Sequence, residues 1–542
     1  MAARRGRLGR SPYNSLFLMP ATSIDRERAS RERFTEEPNR FGAYRLALGF
    51  PNSYEVGMSN LGFQWVYRLL NRIPDVVCER FFHEEGQPAA TFESGTPLSD
   101  FGLLAWSLSW EMDIVHILRT LQKAGIPVRR EARDERHPLL LVGGDIARMN
   151  PAALTPFVDV FALGDGERLV PRIAELLMSG LDRDGFLAAA AKVPGLFVPA
   201  VQGGRAEAAE NGKVVVQQPM SRKDIATDFE VPHTTILTPQ TELADKLLIE
   251  ISRGCTEMCR FCWAAYAMAP VKQYPAASIL KVAREARPLT NRTGLIATAV
   301  CDHPEIIPIL EGLAALEYHI ALSSIKIDAI EDPILEVLAR QGERALSIAP
   351  EAGNERLRRH INKKVSDAML DEKARLVFAR GFTRLKLYLQ VGLPSETEED
   401  VRDIVRLTER LHGIAVAEGR GRGRVAELVP SVNAFIPKPH TPYEDQPLAE
   451  EALLRDRLGL LQRELSRIPN VVFRGMPVGE AVWEAFLAKV DESGADILEE
   501  AASGVPVRRL LKTHAARIAA VVRPGAVLPT PAAAPWSFIS KR

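Results

Sequence analysis

Three cysteines within eight residues, Cys255, Cys259 and Cys262, are the strongest chemical signal in the chain. Thiolates with three and then two residues between them can wrap one loop around an iron–sulfur cluster. Three protein ligands on a four-iron cluster leave one iron open, and an open metal position can bind a substrate. A structural zinc site needs a fourth cysteine or histidine nearby, but residues 263–269 offer none and the next histidine is His303. The spacing therefore favours a cluster with an open iron over zinc-bound or merely buried cysteines.

The composition around this motif is that of a globular protein in a reducing compartment. Of 542 residues, 46% are hydrophobic and 25% are charged, and the 69 basic residues equal the 69 acidic ones. This balance gives no overall electrostatic reason to expect nucleic acid or membrane as a partner. Five cysteines are too few for a disulfide framework in so long a chain. The basic N-terminus precedes no apolar core, and no run reaches about 18 apolar residues, so we expect a cytoplasmic protein.

The length predicts two or three domains, and the hydrophobic pattern places the first at residues 41–200. Apolar runs here alternate with helical patterns, as in YRLALGF, LLAWSLSW, PLLLVGG and VDVFALGDGE. Such alternation is typical of parallel βαβ units, so we predict an α/β, doubly wound, Rossmann-like domain. The glycine pattern GDGE is too weak to indicate a dinucleotide. Residues 1–40 are predicted to be a disordered charged tail, and 201–245 a linker or small β excursion.

A second alternation contains six apolar strands, at 246–254, 293–300, 319–328, 344–350, 384–393 and 426–436. Helical patterns lie between most of them, and six successive β/α units favour a partial (β/α)6 barrel over 246–440. In such barrels the chemistry lies at the carboxyl ends of the strands, and the cysteine motif directly follows the first strand. Residues 441–542 are predicted to form a helical C-terminal region.

These features resemble the radical S-adenosylmethionine (SAM) superfamily. The resemblance rests on the CxxxCxxC motif, on Phe261 directly before its last cysteine, and on the position of this loop after the first barrel strand. It implies that the three cysteines bind a [4Fe–4S] cluster whose open iron is chelated by SAM. An electron from the cluster then cleaves SAM to methionine and a 5′-deoxyadenosyl radical, which abstracts hydrogen from the substrate. It also implies that Phe261 lies against the adenine.

The same resemblance suggests further contacts to SAM. The Gly-Gly-Glu-like turn that the family usually has after its second strand is absent, because residues 299–303 read Ala-Val-Cys-Asp-His. Ser347 and Glu351, in LSIAPEAGNERLR, stand where the family places polar contacts to the ribose or amino group of SAM. Loop polarity or helix capping is the alternative for both. Gly392, in LQVGLPSETEED, resembles the family's Gly-Leu-Pro element, in which glycine lets the backbone approach the adenine.

A doubly wound domain before such a barrel resembles the cobalamin-binding subclass of radical SAM enzymes. FPNSYEVGMSNLGFQWVYRLLN, LVGGDIARMNPAAL and FALGDGERLVPRI carry this part of the resemblance. The usual Asp-x-His-x-x-Gly motif is missing, because Phe81 stands where the aspartate before His83 is expected. Cobalamin would then bind without a histidine ligand, cradled by Gly143, Gly144 and the serines of WSLSW. A degenerate domain that binds no cofactor is the alternative.

The expected function is radical SAM chemistry, with methyl transfer to an unactivated carbon as the leading reaction if cobalamin binds. Cobalamin-independent radical chemistry is the first alternative, and a methylthiotransferase is disfavoured because the first domain lacks a second cysteine cluster. The non-enzyme alternative is a metal-stabilised interaction protein that associates with RNA through basic residues near the termini: Arg4, Arg5, Arg7, Arg508, Arg509 and Lys512. A flavodoxin or ferredoxin is the expected electron donor. The substrate and the roles of Cys301 and His440 stay open.

Overall fold

A computed structural model describes residues 22–203, 215–216, 230–322, 325–523 and 534–540. Twelve strands in these ranges build the three main sheets: β1 (Tyr44–Phe50), β2 (Val76–Phe82), β3 (Leu103–Ser107), β4 (Leu139–Gly143), β5 (Val160–Ala162), β6 (Leu196–Phe197), β7 (Leu247–Glu250), β8 (Arg292–Ile296), β9 (His319–Leu322), β10 (Ala345–Glu351), β11 (Arg384–Val391) and β12 (Glu427–Ala434).

The helices of the described residues fall into three groups along the chain. Those before the barrel are α1 (Ser23–Arg31), α2 (Tyr54–Ser59), α3 (Leu61–Asn71), α4 (Ile114–Lys123), α5 (Asp145–Met149), α6 (Gly166–Met178), α7 (Arg183–Ala190) and α8 (Pro199–Gln202). Those within the barrel are α9 (Trp263–Ala267), α10 (Ala276–Ala286), α11 (Ile306–Ala315), α12 (Asp332–Arg340), α13 (Glu355–His360), α14 (Asp367–Ala379) and α15 (Glu398–Gly419). Those after it are α16 (Glu451–Leu465), α17 (Val478–Lys489), α18 (Ala495–Ala502), α19 (Val507–Thr513) and α20 (Ala515–Val522).

The N-terminal domain is a six-stranded sheet with the strand order β2-β1-β3-β4-β5-β6. All neighbouring strands are parallel except β5 and β6. Both faces of the sheet are covered, because Leu46 and Leu48 pack into one apolar cluster and Ala47 into another. Strands buried on both faces appear in the sequence as continuous apolar runs, so the doubly wound prediction is confirmed.

The barrel consists of six parallel strands in two sheets, β7-β8-β9 and β10-β11-β12. The short strand Arg474–Gly475 extends the second sheet beyond β12. Alternate residues of β11 point outward into the main apolar core, as Leu385 and Leu387 do. The residues between them face the barrel interior. The predicted partial (β/α)6 barrel is confirmed.

The C-terminal helices pack against both preceding domains. The Asn150 side-chain amide donates to the carbonyl oxygens of Ala488 and Val490, at 3.2 and 2.8 Å. Near the end of the chain the ring of Phe538 lies 4.8 Å from that of Phe197. The helical extension is therefore one packed body with the two α/β units. Within the described ranges, no helix is both long enough and apolar enough to cross a membrane.

The disordered tail expected over 1–40 is wrong for residues 22–40. Helix α1 starts at the N-cap Thr22, and its buried Arg28 pairs with Glu84 at 2.9 Å. Glu32 forms a buried ion pair with Arg80 at 2.7 Å. The charges that suggested a solvated segment are thus neutralised by partners distant in sequence. Residues 1–21 lie outside the described part.

The segment 201–245 forms two short β pairs where it is described. Ile236–Leu237 pairs antiparallel with Arg33–Phe34, and Val215–Val216 pairs parallel with Ile539–Ser540. The segment therefore connects both ends of the chain to the centre of the molecule. Most of 204–229 lies outside the described residues.

Candidate active site

The three cysteines lie on one loop at the carboxyl end of the first barrel strand. The loop follows the short strand Ser252–Arg253 and ends at Cys262, the residue before α9. Gly254 has φ = +88°, and a Cβ there would lie 2.7 Å from the Met268 carbonyl oxygen, so this turn requires glycine. Backbone N–H groups in the first turn of α9 hydrogen-bond the Cys262 sulfur and oppose the rise in its pKa that burial causes.

The thiols of Cys255, Cys259 and Cys262 share one partly buried space. Burial raises the pKa of the Cys259 thiol to about 12, and the other two thiols add to the rise. Burial also raises the pKa values of Cys255 and Cys262. Metal ions must therefore replace the thiol protons for these ligands to bind. Three neighbouring sulfur donors fit a [4Fe–4S] cluster with one open iron. Across the described ranges, no three His, Cys, Asp or Glu side chains are grouped for a single metal ion.

Residues after α13 hold the cysteine loop in its shape. The Asn362 amide donates to the carbonyl oxygen of Met258 at 2.9 Å, and the Tyr266 hydroxyl donates to the same oxygen at 2.8 Å. The Arg260 backbone N–H donates to the carbonyl of Ile361 at 3.0 Å. Met258 has φ = +52°, a left-handed conformation that a non-glycine residue keeps only when its surroundings hold it there. These hydrogen bonds supply that restraint between the first and second cysteines.

Arg253 ties the loop to the N-terminal domain. Its guanidinium contacts Glu167 at 2.7 Å, Glu250 at 2.8 Å and Asp165 at 3.3 Å. Asp165 and Glu167 belong to the GDGE turn after β5, and the Trp65 indole N–H donates to Glu167 at 3.0 Å. Burial lowers the pKa of Arg253, but these carboxylates outweigh that effect and hold the pKa well above its usual value. The GDGE turn therefore binds the arginine two residues before the first cysteine.

Other contacts show that the carboxyl edges of the two sheets face each other. Arg148, on α5, donates to the carbonyl oxygen of Ala267 on α9 at 3.1 Å. Lys438, which follows β12, pairs with Glu111 after β3 at 2.5 Å and with Glu484 of α17 at 2.8 Å. Loops after strands of both sheets thus meet around the cysteine loop. Ligands of doubly wound folds and of barrels bind at these edges.

Glu351 and Ser347 lie on the same strand, β10, at different depths. Glu351 stands at the carboxyl end with φ = +67°, and the Gln390 amide donates to it at 2.8 Å. Burial raises the pKa of Glu351, and Lys363, 3.7 Å away, opposes the rise. Ser347 lies four residues deeper in the barrel interior. The helix-capping alternative fails for both, because the side chain that caps α13 is that of Asn354.

Phe261 lies on an apolar surface at the carboxyl end of the second barrel sheet. It packs against a cluster formed by Ala352, Leu357, Ile361, Leu393, Phe435 and Tyr443. Ala352 and Phe435 directly follow β10 and β12. A half-buried aromatic ring beside this cluster offers a flat apolar contact next to the cysteines. Its role against an adenine stays a prediction.

Packing accounts for the glycine at position 392. Gly392 has φ = +83°, and a Cβ there would lie 3.0 Å from side-chain atoms of Ala449 and Leu454. Its backbone N–H donates to Glu396 at 2.7 Å. Glycine is required because the C-terminal region approaches closely, and this packing could not be inferred from the motif. The expected approach of its backbone to the adenine stays a prediction.

The glycine pair after β4 is also explained by packing. Gly144 has φ = +104°, and a Cβ there would lie 2.4 Å from the carbonyl oxygen of Leu108. A Cβ at Gly143 would meet only the Cβ of Ala162, at an ordinary 3.5 Å. A side chain at 144 would therefore collide with the loop after β3. The expected cradling of cobalamin by Gly143 and Gly144 stays a prediction.

The strand order of the N-terminal sheet reverses between β1 and β3, which makes this the switch-point crevice. The Asn60 amide donates to the Ser109 hydroxyl here at 3.3 Å, and the side chain of Trp110 is 48% exposed. The Nδ1 of His83 bonds Thr120 at 2.8 Å, and its ring stacks on that of His116 with the centroids 4.6 Å apart. The exposed indole and the polar pair at this edge suit a flat ligand, and its binding without a histidine ligand stays a prediction.

Sequence reasoning missed the cluster of charges beside the first cysteine. Lys326 bonds Glu257 at 2.8 Å and Asp302 at 3.0 Å, so it joins the cysteine loop to the loop after β8. No motif marks this pairing, since the three residues are far apart in the chain.

Cys301 packs against the main apolar core, and burial raises its pKa to about 12. His440 contacts the Met149 carbonyl oxygen at 3.1 Å and so contributes to the domain junction.

Comparison with known proteins shows similarity along most of the chain. An uncharacterized protein of Methanocaldococcus jannaschii is 24% identical over 458 residues, which are 84% of this chain and 90% of that protein. The ribosomal protein uS12 methylthiotransferase RimO of Anaeromyxobacter sp. is 26% identical over 277 residues, 47% of this chain and 55% of that enzyme.

The solved structures give the same fold. The radical SAM methyltransferase TsrM from Kitasatospora setae, determined with cobalamin and a [4Fe–4S] cluster bound, has a TM-score of 0.50 and 14% sequence identity. The match covers 74% of this chain and 77% of that one. Residues 62–199 match the family model of radical SAM proteins, N-terminal, and residues 249–408 match that of the radical SAM superfamily. The chain belongs to the radical SAM superfamily of enzymes.

Proposed function

We propose that the chain holds a [4Fe–4S] cluster on Cys255, Cys259 and Cys262 and cleaves SAM reductively. The observation that carries the proposal is the grouping of three thiols at the carboxyl end of the first barrel strand, with Glu351 beside them. The bound cluster would supply the electron that splits SAM into methionine and a 5′-deoxyadenosyl radical. The protein's task is to leave one iron open and to orient SAM on it.

Glu351 and Phe261 are the proposed SAM contacts. Glu351 is an acceptor beside the cysteines and already bonds Gln390 and faces Lys363, so its carboxylate is fixed in place. A carboxylate so placed binds an ammonium group through charge-assisted hydrogen bonds. Phe261 and the apolar cluster behind it offer the surface for the adenine. Ser347, deeper in the barrel, is proposed to contact the ribose.

The release of 5′-deoxyadenosine from SAM tests this proposal. Anaerobically reconstituted and reduced protein should release it slowly without any added substrate. Glu351→Gln should lower SAM affinity at least tenfold and keep the iron content, because the residue binds the ligand and not the metal. Glu343→Gln, two residues before the start of the same strand, is the matched control. Normal SAM affinity in Glu351→Gln would remove this assignment.

We further propose cobalamin as a second cofactor in the switch-point crevice. The open indole of Trp110 and the polar pair of Asn60 and Ser109 support this, as does the way this edge faces the cysteine loop. Bound cobalamin would supply a cobalt that carries a methyl group, which makes methyl transfer to an unactivated carbon the leading reaction. Cobalamin-independent radical chemistry is the alternative. A methylthiotransferase with a second three-cysteine cluster is disfavoured, because only two cysteines remain.

Titration with hydroxocobalamin tests the second cofactor. We expect saturable uptake by cluster-loaded protein and the absorption spectrum of a cobalt that lacks a protein imidazole. His83→Ala should leave that spectrum unchanged, and Trp110→Ala should weaken binding by up to about tenfold, since an aromatic stacking contact contributes roughly 0.5–1.5 kcal/mol. If soluble, cluster-loaded protein takes up no cobalamin, methyl relay through cobalt is excluded and the cobalamin-independent alternative stands.

The remaining parts of the proposal concern partners and location. Reductive SAM cleavage needs a one-electron donor, and a flavodoxin or ferredoxin in the cytoplasm would serve. Cluster reduction by purified flavodoxin hydroquinone, followed at the cluster's visible absorption, tests this directly. A cluster reduced by dithionite but never by either protein would refute it.

A further inference from the structure

The interior face of the second barrel sheet carries a row of hydrogen-bond donors below the cysteine loop. On β11 the outward residues are leucines in the main core, and the residues between them are Lys386, Tyr388 and Gln390. Gln390 is engaged with Glu351 at the mouth of the barrel. Lys386 lies four residues deeper than Gln390, which at about 3.3 Å per residue is roughly 13 Å below the mouth.

The ammonium group of Lys386 has a hydroxyl partner and no carboxylate among the described residues. Its Nζ donates to the Tyr388 hydroxyl at 3.0 Å and lies 4.3 Å from the centroid of that ring. The carboxylates on the same interior face already have cations, because Glu250 is held by Arg253 and Glu351 faces Lys363. Lys386 is only partly exposed. A half-buried charge without a counter-ion is costly, and a ligand anion would offset that cost.

Neighbouring strands add further donors at the same depth. Ser347 on β10 is in register with Lys386, and Ser431 on β12 is in register with Tyr388, so these side chains lie on strands about 4.8 Å apart. The Tyr388 oxygen accepts from Lys386, which leaves its own O–H free to donate. Two serine hydroxyls, one phenol and one ammonium thus project donors into one space. Such a set recognises an acceptor-rich anion.

From this placement we infer that Lys386 and Tyr388 form a subsite for an oxyanion of the substrate, a carboxylate or a phosphate. The inference rests on the proposed function, because it names the substrate class of the same barrel. The backbone positions of Tyr388 and Lys386 lie about 7 and 13 Å below Gln390, which bonds Glu351 at the mouth. The substrate is therefore extended, with its anionic end deep in the barrel and its reacting end near the cysteine loop. Ser347, in register with Lys386, then contacts this anion, and that contact replaces the one proposed for it with the ribose.

Calorimetric titration of cluster-loaded protein with inorganic phosphate and, separately, with acetate tests the subsite, with chloride setting a constant ionic strength. We expect saturable binding of one or both probes. Binding of phosphate alone identifies a phosphate-bearing substrate, and binding of acetate alone identifies a carboxylate. Lys386→Met should weaken binding at least tenfold, because it keeps the stem and removes the charge. Tyr388→Phe should weaken it about threefold and serves as the variant least able to disturb folding.

The matched control is Lys281→Met on α10, whose ammonium is exposed and far from the barrel interior. It should bind the probes as the parent does. The inference is overturned if the parent binds neither probe, if Lys386→Met and Tyr388→Phe bind them unchanged, or if Lys281→Met loses the same affinity. Iron content and 5′-deoxyadenosine release are measured on the same samples. A parent protein that holds no iron or releases no 5′-deoxyadenosine contradicts the proposed function. Anion binding needs no cluster, so it reports on the subsite alone.

Discussion

Replacing Arg253 by methionine should destabilise the junction between the N-terminal domain and the barrel. The change removes the guanidinium and keeps most of the side-chain volume. It leaves Asp165, Glu167 and Glu250 close together, with side chains that are 7%, 3% and 16% exposed. Removing one partner from a buried ion pair costs about 3–5 kcal/mol, because the remaining charge stays uncompensated. We expect a loss of about 3 kcal/mol in the free energy of unfolding, at the low end of this range, because Lys272 lies 3.9 Å from Asp165 and neutralises part of the remaining negative charge.

The assay is urea unfolding followed by tryptophan fluorescence, because Trp65 and Trp263 border this network. At a slope of about 3 kcal/mol per molar urea, the midpoint should fall by about 1 M. Arg172→Met is the control, since Arg172 and Glu175 form an exposed pair that contributes about 0.5 kcal/mol or less.

The penalty should also depend on pH. Burial raises the pKa of Glu250, and Arg253 opposes that rise. Without the arginine the folded-state pKa of Glu250 rises further above its unfolded value. The variant therefore keeps its stability at pH values below the unfolded-state pKa of Glu250 and loses it as the pH rises through the folded-state pKa. The gap between parent and Arg253→Met should widen from pH 5 to pH 8. Equal midpoints for the two proteins at pH 8 would refute the role given to this network.

Three other perturbations test separate parts of the structure. Gly144→Ala should lower the free energy of unfolding by at least about 2 kcal/mol, because the new Cβ would meet the Leu108 carbonyl oxygen at 2.4 Å on a backbone with positive φ. The control Gly143→Ala should lower it by about 1 kcal/mol or less. Equal unfolding midpoints for the two variants would contradict this packing. Burial and His116 lower the pKa of His83 to about 4. The stability that the neutral ring contributes is therefore present above pH 6.5 and is lost as the pH falls towards 4. In His83→Phe the free energy of unfolding should change by about 1 to 2 kcal/mol less over this pH range than in the parent. Asn362→Ala should speed cluster loss to a chelator about tenfold, and Asn470→Ala, which has the same left-handed backbone but no contact to the loop, should not.

The fold could be predicted because its strands are buried in ways that leave a simple pattern. The strand predicted at 384–393 is observed at Arg384–Val391, and the one predicted at 426–436 at Glu427–Ala434. Parallel strands covered on both sides appear as apolar runs, and the turns between them are rich in glycine. Helix α1 was missed because its charged residues, such as Arg28, find partners more than 20 residues away. No local pattern reports such pairing.

The site could be predicted only where its residues are adjacent in the sequence. The cysteines share one loop, so their spacing alone indicates the chemistry. The sequence indicates glycines 144 and 392 as cofactor contacts, but it cannot show that Leu108 and Ala449 are the groups that approach them. Lys386 carries no motif at all. Its placement in the barrel interior follows from strand register, which only the folded chain reveals.

The iron content of anaerobically reconstituted protein tests the central claim most directly. We expect about four irons per chain in the parent and in Cys78→Ala, whose cysteine is buried in the apolar core of the N-terminal domain. Cys255→Ala, Cys259→Ala and Cys262→Ala should each lose the cluster while keeping the far-ultraviolet circular dichroism of the parent. Stoichiometric zinc in place of iron, or full iron retention in all three variants, would contradict the account.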